Sequence, residues 1–177
     1  MDSQIIPAYQ ILKNTDIINL QIEPHDNTII NQKQKQIRCQ NGSNECKANT
    51  FMQCTISTYP KAQEFLPVLG CSFKSLFNSE TNANELVEKV FAACATKNGV
   101  DYKPIEVCYH MDKKLDELQT KPSSIYTPVN RSCYPHVKVN NKRIDITKRS
   151  LVEEICDAID SDDTPRRCNR NNMRSRR

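Results

Sequence analysis

The sequence predicts an α/β chain in which a block of helices separates two strand-bearing regions and disulfides staple the parts together. Three observations predict it. Nine cysteines are spread over 177 residues, at 39, 46, 54, 71, 94, 108, 133, 156 and 168. Apolar residues recur at helical spacing through the middle of the chain, and short β-type runs lie on either side of that block. The length suits one domain of ordinary size.

The elements follow in order. Residues 5–13 (IIPAYQILK) read as a short amphipathic helix with Pro7 in its first turn, where a missing N–H costs nothing. Residues 17–22 (IINLQI) read as a strand closed by Pro24. Residues 25–36 are polar and read as a loop or weak edge hairpin. Residues 61–77 carry Phe65, Leu66, Val68, Leu69, Phe73, Leu76 and Phe77, a helical pattern. Asn82 and Glu85 then form a capping box for a helix bearing Leu86, Val90 and Cys94 on one side, which Gly99 ends as a left-handed cap. A short helix starts at Pro104, with Ile105 and Cys108 on one side. Residues 120–135 form an extended loop. His136 to Val139 is a strand, Asn140-Asn141 a turn and Arg143 to Ile146 the return strand. Ser150 and Glu153 cap a last helix through Leu151, Ile155 and Ile159.

Helix, strand, helical block, strand, strand, helix is the later part of a thioredoxin-like layout with a helical insertion and with its first, central strand missing. The domain reading is residues 1–160 as the fold and 161–177 as an acidic, then Arg-rich, disordered tail.

Composition excludes several function classes. Of 25 basic residues, six are arginines after residue 165, where no acid follows, so the body is near neutral despite a net charge of +4. That excludes a basic nucleic-acid face on the fold. No run of 18 apolar residues exists, so no membrane span is expected. Three glycines build neither GxGxxG nor a Walker loop, and neither GxSxG nor HExxH occurs. The cysteine density suits a secreted or lumenal protein. No close CxxC pair is present; the nearest spacings leave six residues between Cys39 and Cys46 and seven between Cys46 and Cys54, so no metal site is read. Met1-Asp2-Ser3-Gln4 does not open like a signal peptide. That conflict with the cysteine content points to an incomplete N-terminus.

Residues 39–54 read CQNGSNECKANTFMQC. This resembles the signature of the gamma-interferon-inducible lysosomal thiol reductase family: Cys-Gln-His-Gly, two residues, Glu-Cys, two residues, Asn, four residues, Cys. Cys39, Gln40, Gly42, Glu45, Cys46, Asn49 and Cys54 match in register, and Asn41 stands where the family has His. IIPAYQILKNTDIINLQIEPHDN, CATKNGVDYKPIEVC, SCYPHVKVNNK and LVEEICDAI extend the likeness over nearly all the chain except its basic tail.

The resemblance implies a thiol-disulfide oxidoreductase acting on protein disulfides, lysosomal or extracellular, with no cofactor. In the family that chemistry belongs to a CxxC at the end of the first strand. This chain contains no CxxC, so no catalytic residue is assigned and activity from these residues is not expected. Pro135 is read as the cis proline of the fold, presenting the backbone of Tyr134 to a bound peptide. Cys39, Cys46, Cys54, Cys71, Cys94, Cys108, Cys156 and Cys168 are read as disulfide staples. Cys133, beside the cleft proline, is the odd thiol. Asn41 and Asn130 sit in N-glycosylation triplets. His25 and His136 are read as loop and cleft-wall residues, and His110 as having no carboxylate partner at an informative spacing. Two other readings are a catalytically dead, disulfide-rich secreted binding module and a saposin-like helical lipid binder. The strands argue against the last.

Overall fold

A computed structural model describes residues 4–13, 18–24, 29–31, 36–39, 42–77, 84–111, 137–159, 165 and 168. The chain divides into two compact units, residues 21–132 and residues 1–20 with 133–177.

The larger unit is mostly helical. It opens with β1 (Ile29–Asn31) and β2 (Gln36–Arg38), paired antiparallel with Ile30 opposite Ile37. Thus residues 25–36, read as a loop or weak hairpin, contain one strand and the start of another. Four helices follow: α2 (Ser43–Thr58), α3 (Ala62–Phe77), α4 (Asn84–Lys97) and α5 (Lys103–His110). The helix α2 packs against α3, α4 and α5, and α3 packs against α4. The buried side chains include Phe51, Phe65, Leu66, Val68, Leu69, Val87, Phe91 and Ile105, all at most 2% exposed. Phe65, Leu66, Val68 and Leu69 recur at helical spacing, which is why one face of α3 faces the core.

Gly99 ends α4 at φ +70°. Its N–H donates to the Thr96 carbonyl and that of Val100 to the Ala95 carbonyl, the paired bonds of a Schellman cap. A left-handed φ suits glycine because it has no Cβ to clash. Asp101 then folds back: its Oδ1 accepts from the Lys103 N–H at 3.0 Å and starts α5, with Pro104 in the first turn. The capping residue Asn82 lies outside the described residues.

The smaller unit holds α1 (Ile5–Leu12), β3 (Val137–Val139), β4 (Lys142–Ile144) and α6 (Leu151–Asp157). Leu12, Cys156 and Cys168 form its buried centre, flanked by Ile11, Ile18, Val152, Ile155 and Ile159. Asn140 and Asn141 both have positive φ, 46° and 64°, and close a two-residue hairpin with Val139 opposite Lys142. The return strand spans Lys142–Ile144 rather than Arg143–Ile146, because Asp145 leaves the ladder: its carboxylate accepts from the Thr147 N–H and hydroxyl. Ser150 caps α6 in a complete capping box with Glu153. Gln4 Oε1 accepts from the Leu151 N–H at 3.0 Å, tying the start of α1 to that of α6.

One expected strand is corrected. Residues 18–24, at the expected IINLQI strand, belong to no ladder. A strand is a property of a pair, since its N–H and C=O groups need a neighbour's edge. The described residues hold two separate two-stranded sheets, β1–β2 and β3–β4, and no sheet that joins the two halves of the chain. What stands is a mostly helical structure with small antiparallel hairpins and four disulfides.

Candidate functional site

The signature segment straddles the start of α2. Gly42 is its N-cap, at φ 92°. An added Cβ there would touch nothing within 4 Å, so the requirement for glycine comes from the backbone angle rather than from space. Glu45, in the first turn, sits where the positive end of the helix favours a carboxylate. Cys46 lies in that same turn and bonds Cys39, with Cα atoms 5.5 Å apart. Both residues are partly exposed. Gln40 and Asn41 lie outside the described residues.

Deeper along α2 the signature becomes core. Asn49 Nδ2 is buried and meets no acceptor among the described residues. Three hydroxyls bond back along the helix: Thr50 to the Cys46 carbonyl, Thr55 to that of Phe51 and Ser57 to that of Cys54. Such bonds let a polar helix bury hydroxyls without orphaning them. Gln53 Nε2 donates to the Pro24 carbonyl at 3.4 Å, so α2 holds the end of the 18–24 segment. Cys54 is fully buried and bonds Cys108 of α5, itself 3% exposed.

Next to this bridge lies an aromatic stack that the sequence reading missed. The Phe51 ring is 4.0 Å from that of Tyr109 and 5.2 Å from that of Phe91, nearly parallel to both, and Tyr102 stacks further out at 6.4 Å. Burial raises the pKa of Tyr102 and Tyr109, and the Glu88 carboxylate raises both further. Phe51 lies within the signature, but only folding brings α4 and α5 to it.

The remaining bridges are Cys71–Cys94, joining α3 to α4, and Cys156–Cys168 in the smaller unit. Cys168 is thus buried and bonded to α6 although it lies in the stretch read as a tail. Every described cysteine is in a disulfide. Cys133, Tyr134, Pro135, Asn130, His25 and His136 lie outside the described residues. His110 differs from its sequence reading: Glu88 Oε1 stands 3.9 Å from its Nε2, and Glu106 is within reach on the same helix. Among the described residues the cysteines thus form a stapled frame of four bridges. No described helix is long and apolar enough to cross a membrane.

Comparison with known proteins bears on this frame. A family profile described as gamma interferon inducible lysosomal thiol reductase (GILT) matches residues 1–98. The gamma-interferon-responsive lysosomal thiol protein of Arabidopsis thaliana is 29% identical over 140 residues, covering 75% of this chain and 54% of that protein. The chain therefore spans about half the length of the curated relative it matches. No solved structure matches it.

Proposed function

The chain belongs to the gamma interferon inducible lysosomal thiol reductase family, and on that premise we propose that it engages disulfide-containing proteins without supplying the dithiol that would turn them over. The observation that carries this reading is the state of the cysteines. Eight are committed to four bridges, and no two of the nine form a CxxC.

Turnover needs two thiols. An attacking thiolate breaks the substrate S–S bond and forms a mixed disulfide, and a resolving thiol then displaces the substrate sulfur. By elimination Cys133 is left for the first step alone. Its thiolate joins one substrate sulfur and releases the other as a thiolate, and nothing in the chain completes the exchange. Tyr134 and Pro135 are proposed to flank it as the cleft wall of a thioredoxin-like domain over residues 1–160, a layout that the order of the elements supports. Disulfide density and family membership both favour a lysosomal or extracellular setting.

Insulin reduction at acidic pH tests the reading. The 177-residue chain is expected to give no catalytic turnover and at most a stoichiometric adduct through Cys133. Sustained turnover overturns it. The absence of a dithiol also favours a second reading, a disulfide-rich binding module that uses no thiol at all. In that case C133S binds disulfide-containing proteins as well as the parent chain does.

A further inference from the structure

We propose that Glu88, Glu106 and His110 form a binding site for a divalent cation of the zinc class that clips α4 to α5. The site is separate from the signature segment and does not depend on the thiol reading.

The donors come from two helices. Glu88 lies on α4, and Glu106 and His110 lie one turn apart on α5, so both face the same way. One donor atom from each lies within 4.8 Å of the other two. Imidazole nitrogen and carboxylate oxygen are both zinc donors, and a three-donor site leaves a fourth position for water. A tetrahedral ion with N and O ligands separates them by roughly 3.3 Å. Rotation of partly exposed side chains closes that difference: His110 is 60% exposed, Glu88 43% and Glu106 28%.

The backbone beneath is already held. Cys108 sits between Glu106 and His110 and is bridged to α2, while Cys94 anchors α4 to α3. Among the described residues no disulfide joins α4 to α5 directly. The ion would provide that link.

A second observation points into the same place. The Tyr102 hydroxyl, one turn ahead of Glu106, is buried and meets no hydrogen-bond partner among the described residues. A phenol beside ligating carboxylates can serve as an outer-sphere donor. The competitor is Lys103, which pairs with Glu106 Oε2. That ammonium is 73% exposed, and an exposed ion pair of this kind contributes little to hold it in place.

The experiment uses the full oxidised chain with free thiols blocked by iodoacetamide, titrated with zinc chloride by calorimetry. A single saturable site is expected, with a zinc-dependent rise in melting temperature. Loss of a ligand in E88Q or H110A should weaken binding by about tenfold or more, whereas H25A should bind like the parent. Zinc K-edge absorption on the parent chain should show oxygen and nitrogen ligands without sulfur, a readout that does not require any variant to fold. Absence of a saturable site, unchanged binding in both E88Q and H110A, or sulfur in the zinc shell overturns the proposal.

Discussion

At the scale of single residues, Phe51 is a central packing residue of the fold. It is 1% exposed and stacked between Phe91 and Tyr109, so its ring joins three helices. Phe51→Ala removes that ring from a site that two disulfide-anchored helices cannot easily collapse into. The expected cost is about 3–5 kcal/mol, read as a lower urea midpoint under oxidising conditions. The tyrosines beside it set an alkaline limit. Burial, then the Glu88 carboxylate, raises the folded-state pKa of Tyr102 and Tyr109 above the ordinary phenol value of 10.0. A group with a raised folded pKa keeps its contribution below the unfolded pKa and loses it as pH rises toward the folded one, because the unfolded chain releases the proton first. Stability is therefore expected to fall above pH 10. Urea melts monitored at 295 nm check this: phenolate absorbance from these two rings should appear with unfolding, and a flat stability profile through pH 11 would contradict it.

At the scale of elements, local chemistry decides where helices begin and end. Ser150 Oγ accepts from the Glu153 N–H at 3.2 Å, and Glu153 Oε2 accepts from the Ser150 N–H at the same distance. The helix they start, α6, has only seven residues and is marginal without help. Ser150→Ala should cost about 1 kcal/mol and speed amide exchange in the first turn of α6. Exchange as slow as in the parent chain would show that the Cys156–Cys168 bridge alone holds the helix. These signals were legible beforehand because they are local: a serine and a glutamate three apart, a glycine after an apolar run, two asparagines between short β-type runs. The IINLQI segment was not legible in the same way. Its isoleucines satisfy the composition of a strand, but composition does not supply the neighbouring edge.

At the scale of the whole molecule, three bridges serve the larger unit and one the smaller. Their value depends on the loop each closes. Cys54–Cys108 spans 54 residues and Cys39–Cys46 spans seven. Loop-closure entropy puts the first at about 4 kcal/mol and the second at about 2 kcal/mol. Access runs the other way, since Cys54 and Cys108 are buried while Cys39 and Cys46 are partly exposed. Limiting reductant followed by alkylation and mass mapping should label Cys39 and Cys46 first, with the helical signal retained. Labelling of Cys54 and Cys108 at that stage would mean that α2 and α5 open more readily than their packing implies. Replacing Cys54 and Cys108 together by alanine should lower the melting temperature more than the same change at Cys39 and Cys46.

The amino-acid sequence alone determined α3, α4 and α5 of the helical block but not α2, and with them both asparagines of the β3–β4 turn, the cap of α6 and the family resemblance of residues 39–54, because each depends on neighbours within a few positions. Which cysteine meets which, the stack around Phe51, and the approach of Glu88 to Glu106 and His110 were decided only in the tertiary structure. In the stack, at Cys54–Cys108 and Cys71–Cys94 and between Glu88 and the α5 pair, the partners come from different helices, and their distances follow from how α2, α3, α4 and α5 pack rather than from any spacing along the chain.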